Sequence, residues 1–415
     1  MQYVAAISAR YGALAIQFLL VLLVTDALPQ DEAGKYFVAF GLATTLYCLP
    51  GLGLPDGLIK TVGLQLSNGS RFSIKTTLWR TISYSFISGA ALLATGFYLG
   101  IVLGIDPQYA LLTTIWCLSF GFLFVVTQCL VSLRRAGLAA FFFYTSTNIF
   151  SFFTSIPYLI LKADPQLSVL LALNVVAASL SLVFALGALW RHTRRLPHTS
   201  GSAELRSVLQ AGWFIAVSRF LQSALFWIPV WVATLCLGEA EAAVIGTAGR
   251  LVVAVAAVVA ALRFSVRPAI VAAAAANDWR AIENTGRKIA LFASASTVAA
   301  IVGTWFSGQW AIALLFGSDY EAVWPVLMVL LFGSLGETIG GPVDEVLKLT
   351  SHGKIVVFGL VATAATEAVL AVLLSPLGLL GIASAQAAAF WLMYSFQIFY
   401  LNRVERVLIL PFYRS

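Results

Sequence analysis

The sequence predicts an all-α polytopic membrane protein of about twelve transmembrane helices. They form two six-helix lobes related by a pseudo-two-fold axis along the membrane normal. Three observations predict it. Of the 415 residues, 60% are hydrophobic and only 10% charged, whereas soluble domains carry about a quarter charged residues. A water-facing shell of ordinary size is therefore excluded. Apolar runs of roughly 20 residues, enough to cross a bilayer core, recur along the chain. The basic residues also concentrate in alternate connectors between those runs.

The runs lie at 4–27, 36–59, 80–103, 109–133, 138–161, 167–190, 209–237, 243–266, 288–306, 322–347, 355–375 and 378–401. Span 1 lacks a basic leader region and is too long for a cleaved signal, so it is read as a retained helix. Spans 2 and 10 contain internal Gly and Pro and are expected to be kinked. Connectors after even-numbered spans hold Arg71, Lys75, Arg134, Arg135, Arg191, Arg194, Arg195, Arg206, Arg280, Arg287, Lys288 and Lys354. Those after odd-numbered spans hold only Lys35 and Lys162, and are acidic through residues such as Asp31, Glu32, Asp106, Asp164, Glu239 and Glu241. The positive-inside rule then places both termini in the cytoplasm. The net charge of +7 reflects topology, and no feature supports nucleic-acid binding.

The stretch "WRHTRRLPHTSGSAELRS" marks the seam between halves. The expected division is a first lobe at 1–190, a cytoplasmic linker at 191–207, a second lobe at 208–402 and a cytoplasmic tail at 403–415. Arg10 in span 1 and Arg219 in span 7 stand 209 residues apart, each followed by an acidic turn, "QDEAGKY" or "GEAEAAV". Six spans per half is an even number, so both halves enter the membrane in the same sense, with a cavity expected between them.

Ions inside the spans are the candidate functional residues. Arg10 lies roughly 10 Å inside the inner surface at 1.5 Å per residue, and Arg219 deeper. An arginine within hydrocarbon costs ~2.5 kcal/mol or more unless it snorkels or faces a wet cavity. Arg250 enters span 8 from the outer side, and Arg263 and Arg267 mark its inner end. Together they suggest a cationic track suited to phosphate, for which guanidinium is a bidentate ligand. Arg219, Arg10 and Arg250 are the candidate substrate residues.

In "GLGLPDGLIK" and "GGPVDEVLK", Asp56 and Lys60, and Asp344 and Lys348, are each four apart, acid before base, as suits helical ion pairs. They read either as structural features of the inner edge or as a cytoplasmic gate. Glu367, with Thr363 one turn before it, lies near the middle of span 11, and Glu337 at similar depth in span 10. Deep carboxylates serve proton or Na⁺ relays; the plainer alternative is a carboxyl hydrogen-bonded to a neighbouring helix. Trp227 and Trp231 flank Pro229 and either stack on sugar or pack against lipid and helices. The four cysteines lie in apolar runs without CxxC spacing, and the three histidines are scattered in polar connectors, so neither metal nor disulfide is expected.

Several stretches, in order, resemble a known family. "DEAGKYFVAFGLATTLYCLPGLGLPDGLIK" resembles the first outer turn and second helix of polysaccharide-export flippases. "SLRRAGLAAFFFY" is similar to the basic-glycine turn after their fourth helix. "LLFGSDYEAVWPVLMVLLFG" resembles the turn before their tenth helix, followed by a "GK" turn here in "SHGKI". The family is the polysaccharide transporter branch of the multidrug/oligosaccharidyl-lipid/polysaccharide (MOP) flippase superfamily. The resemblance implies alternating access that moves an undecaprenyl-pyrophosphate-linked glycan across a bacterial inner membrane, for cell-surface polysaccharide such as lipopolysaccharide. It implies basic residues in the cavity, matched by Arg10 and Arg219. It also implies an acidic ion-coupling site in the second lobe, loosely matched by Glu367, with Na⁺ or H⁺ as the coupling ion. The implied partners are a lipid-linked oligosaccharide and membrane lipid, with no cofactor and no enzymatic step.

Three rivals remain. A drug or metabolite antiporter of the same superfamily would favour a cavity of negative charge. A polysaccharide polymerase or ligase would be expected to show a sizeable outer loop with catalytic residues, and the outer turns here are short. A major-facilitator carrier would carry a Gly-Asp-Arg signature, absent from "SNGSRFSIKTTLWR" after span 2.

Overall fold

The computed structural model describes residues 2–68, 73–194, 196, 203–350 and 352–412, with side chains at all of them except 2–11, 64–68, 258, 260–265, 267 and 268. Among the described residues the chain is all-helical, with no strands. The helices are α1 (Gln2–Ala27), α2 (Gln30–Leu46), α3 (Leu54–Asn68), α4 (Ile74–Val102), α5 (Pro107–Ser132), α6 (Ala136–Ala140), α7 (Thr147–Leu161) and α8 (Leu167–Thr193). They continue with α9 (Leu205–Cys236), α10 (Glu239–Ala275), α11 (Trp279–Phe316), α12 (Val323–Ile339), α13 (Val343–Leu349), α14 (Gly353–Leu374) and α15 (Leu379–Glu405). A π-helical turn, Phe141–Ser146, joins α6 to α7 into one span. Among the described residues, ten helical segments are long and apolar enough to cross a membrane, and Gly12–Ala27 of α1 is a shorter apolar helix.

Every expected span has its helix, and the two expected kinks are full breaks. Span 2 is divided into α2 and α3, where Leu52 and Gly53 take φ of +47° and +91°. Pro55 then sits in the first turn of α3, where a missing N–H is harmless. Span 10 is divided into α12 and α13 by Gly340, Gly341 at φ +55° and Pro342. The connector expected at 267–287 is instead mostly helical. α10 runs on to Ala275, and α11 starts at Trp279 with Asp278 capping the Ala281 N–H at 2.9 Å. Of the expected linker at 191–207, residues 191–193 end α8 and 205–207 open α9, while 195 and 197–202 lie outside the described residues.

By packing, the chain divides into two units. Unit 1 comprises residues 1–28 and 39–223, and unit 2 residues 29–38 and 224–415. The division passes through α2 and α9, two helices that the charge pattern alone would leave whole. In unit 1, α5 is buried along most of its length among α3, α4 and α8, and α7 packs on α1 and α8. In unit 2, α12 packs on α10, α11 and α15, and α14 lies on α15. The face of α11 bearing Trp305, Phe306, Trp310 and Leu314 is open, as a lipid-facing surface requires.

Proline explains one buried polar contact in unit 2. Pro229 has no N–H, so in α9 the Leu225 carbonyl loses its ordinary donor four residues on. The buried Gln386 of α15 supplies the replacement, donating from Nε2 to the Leu225 oxygen at 3.1 Å. Without water, a freed carbonyl in a bilayer must find a partner of this kind.

Candidate functional site

The break in span 2 builds the polar centre of unit 1. Its tight turn is closed by Leu52 N–H to Leu49 O and Leu54 N–H to Gly51 O, at 2.9 and 2.8 Å. Gly53 is required twice over, by its positive φ and by the Trp213 backbone, which would lie 2.7 Å from an added Cβ. Across the contact, a Cβ on Gly212 would fall 2.0 Å from the Gly53 carbonyl oxygen. The N-terminal half of α9 thus lies backbone to backbone against the start of α3. Higher up, the Ser223 hydroxyl donates to the Thr44 carbonyl at 2.6 Å, tying the same stretch of α9 to the end of α2.

This docking brings Arg219 onto Asp56. The guanidinium Nη2 donates to Asp56 Oδ1 at 2.8 Å, between residues 163 positions apart. The two ends differ in access: the carboxylate side chain is 2% exposed and the arginine 31%. Among the described residues, Asp56 Oδ2 and Arg219 Nε are buried and have no hydrogen-bond partner. The Phe124 ring of α5 lies under the guanidinium, 4.9 Å from its carbon to the ring centroid. The Tyr47 hydroxyl interacts with it as well. Tyr47 is packed by Phe120, Phe124 and Phe143 at centroid distances of 4.9–6.0 Å. Phe143 belongs to the π-helical turn, and such turns frequently mark functional sites.

The expected Asp56–Lys60 pair is therefore corrected. The turn before α3 aims Asp56 at α9, while Lys60 is exposed. Asp344 and Lys348 do pair as expected, Nζ to Oδ2 at 2.9 Å within α13 of unit 2. The Arg10 side chain, like those of Arg263 and Arg267, lies outside the described residues.

Unit 2 holds the remaining candidates. Arg250 of α10 is half-buried, its guanidinium 4.4 Å from the centroid of the Trp227 ring. That contact, with Trp227 itself buried, takes up a ring face that a sugar would need. Two adjoining cavities share Phe226 and Gly249; Trp227 and Arg250 line one, Gln386 and Phe390 the other. In α14, Val356, Gly359, Leu360, Thr363, Glu367 and Ala371 form its buried stripe, facing α15, the helix it chiefly packs on. Glu367 is 0% exposed, and neither carboxyl oxygen has a hydrogen-bond partner among the described residues. Thr363 shares its face, but its hydroxyl donates to the Gly359 carbonyl at 2.7 Å. Glu337 of α12 is half-buried. Among the described residues, no group of His, Cys, Asp and Glu is arranged to hold a metal.

Sequence reasoning missed the Asp56–Arg219 pair, although a signal existed. Two opposite charges in apolar spans near one membrane face should seek each other, because an unpaired ion there is costly. Tyr47, Phe124 and Gln386 carried no such signal.

The helical fold matches that of solved MOP-superfamily transporters. The chain is similar to the inward-facing conformation of a multidrug resistance MATE family transporter of that superfamily, at TM-score 0.74 and 14% identity over 98% of both chains. It is also similar to the lipid II flippase MurJ in an inward closed conformation, at TM-score 0.72 and 13% identity, covering 95% of this chain and 86% of that one. A third likeness is to a MOP superfamily transporter from Pyrococcus furiosus described as having a binding pocket of reverse polarity, at TM-score 0.69 and 15% identity over 98% and 95% of the chains. No protein-family model and no curated protein matches the sequence. At such identities the likeness speaks for the fold.

Proposed function

We propose that the protein is a flippase for an anionic lipid-linked oligosaccharide, moving an undecaprenyl-pyrophosphate-linked glycan across a bacterial cytoplasmic membrane. The observation that carries this reading is the guanidinium of Arg219, one-third exposed and braced inside the membrane by a buried carboxylate. A sugar-pyrophosphate head cannot cross ~30 Å of hydrocarbon unaided. Arginine suits such a head because its planar donors match phosphate oxygens. Among the described residues one of its five N–H groups donates to Asp56, Nε is buried and the Tyr47 hydroxyl interacts with the group, which leaves part of the Nη edge for a ligand. The order of motifs in "DEAGKYFVAFGLATTLYCLPGLGLPDGLIK" and "SLRRAGLAAFFFY" supports the polysaccharide branch, and Arg10 and Arg250 are proposed as further cationic contacts.

In this reading the lobes at 1–190 and 208–402 work by alternating access, with both termini cytoplasmic. Coupling to Na⁺ or H⁺ runs through Glu367, with Thr363 and Glu337 as supporting groups. The Asp344–Lys348 pair serves a cytoplasmic gate. No covalent step is involved, and the polyprenyl tail stays in membrane lipid.

The test is glycan export in cells lacking their own flippase. Arg219→Ala alone would strand Asp56 in the interior, so Arg219→Gln is combined with Asp56→Asn. The double variant should insert normally and export no glycan; normal export would overturn the reading. A second reading is an ion-coupled antiporter of drugs or metabolites, favoured by the cancellation of the Arg219 charge by Asp56. It predicts that the chain confers resistance to cationic drugs and leaves glycan export unchanged.

A further inference from the structure

We propose that Asp56 is a positioning residue that weakens and orients anion binding at Arg219, so that the anion can be released after transport. The inference rests on the anionic-substrate reading above. It starts from the asymmetry of the pair, 2% exposure for the carboxylate against 31% for the guanidinium. A ligand meets the arginine, and the aspartate stands behind it.

The surrounding backbone fixes that order. Asp56 follows the Gly53 turn by three residues, and the start of α3 is pressed against α9 at Gly212, where no side chain fits. That contact holds the backbone that carries Asp56 against α9, and the bond to Arg219 holds the carboxylate there. On its other side the guanidinium rests on Phe124, which leaves its exposed edge as the approach. The bond to Oδ1 at 2.8 Å, with the Phe124 ring beneath and Tyr47 beside it, restrains the plane of the fork and so the direction of its exposed edge.

The same carboxylate repels an incoming anion. A phosphate on the exposed edge would lie roughly 6–7 Å from the Asp56 charge. At an effective dielectric near 20, that repulsion weakens binding by more than tenfold, and by about tenfold once solvent at the exposed arginine is allowed for. A transporter needs this restraint, since a site must hold its cargo weakly enough to let it leave. Asp56 thus serves as a counter-charge that tempers the hold of Arg219 on an anionic head.

The test uses the full chain in lipid nanodiscs, with inorganic pyrophosphate as the probe in titration calorimetry. Asp56→Asn should bind pyrophosphate about tenfold more tightly than the native protein, and should export glycan more slowly at saturation because release is impaired. Structural damage would not raise affinity. The double variant Asp56→Asn/Arg219→Gln should not bind the probe. A charge swap, Asp56→Arg with Arg219→Asp, keeps the ion pair but buries the cation, and should lose binding. Wild-type affinity in either Asp56→Asn or the swap overturns the positioning role. If neither the native chain nor Asp56→Asn binds pyrophosphate, the anionic reading falls, and this inference with it. If the native chain binds, the double variant does not and Asp56→Asn binds no more tightly, only the inference falls.

Discussion

The contact between Gln386 and the Leu225 carbonyl offers a sharp test of how this chain manages proline within a membrane. Replacing Gln386 by Leu keeps a similar volume and removes the donor. The Leu225 oxygen, freed by Pro229 and bonded at 3.1 Å by Gln386, is then left buried without a partner. Leaving such a group unsatisfied costs about 1–3 kcal/mol, and no water is present in the hydrocarbon to soften it. For a unit of this size each kcal/mol lowers the midpoint by about 2–4 °C, so a fall of several degrees is expected. The assay is thermal unfolding of the purified protein in detergent. Pro229→Ala in the same chain restores a backbone N–H to the carbonyl. The combined variant should therefore recover most of the loss, a coupling that a double-mutant cycle measures directly. An unchanged midpoint for Gln386→Leu, or no recovery on adding Pro229→Ala, would refute the reasoning.

Three other outcomes are expected. Gly212→Ala places a Cβ 2.0 Å from the Gly53 oxygen and 2.3 Å from the Gly57 nitrogen, so the folded fraction in size-exclusion profiles should fall sharply. Overpacking against side chains already costs about 1–3 kcal/mol, and backbone yields less readily. Gly187→Ala in α8 meets nothing within 4 Å and should elute as the native protein does. Glu367→Gln preserves shape and removes the titratable group from the α14 stripe; it should flatten the dependence of transport on pH or sodium while insertion is retained. A native-like profile in that variant would return Glu367 to a packing role.

Much of the helical scaffold could be read directly. All twelve apolar runs became helices or broken helices, because a bilayer-length hydrophobic stretch has few other ways to satisfy its backbone. The breaks in spans 2 and 10 were legible for a local reason: Gly and Pro act on the turn that contains them. The i, i+4 pair of Asp344 and Lys348 was legible on the same ground. The equally spaced Asp56 and Lys60 were not a pair. α3 begins only two residues before Asp56, and the turn ahead of it directs the carboxylate to α9. Helical spacing permits a contact, and a better partner from another helix can overrule it.

Residues close in the chain thus determined where helices run, where they stop and which faces are apolar. Tertiary structure decided which buried charges and orphaned carbonyls meet. Arg219 found Asp56 across 163 positions, and Gln386 found Leu225 across 161. The physical reason is that hydrophobic periodicity and backbone sterics act over a few residues. The cost of an unpaired polar group in oil is met by whichever complementary group the packing brings near, and that nearness is a property of the assembled helices.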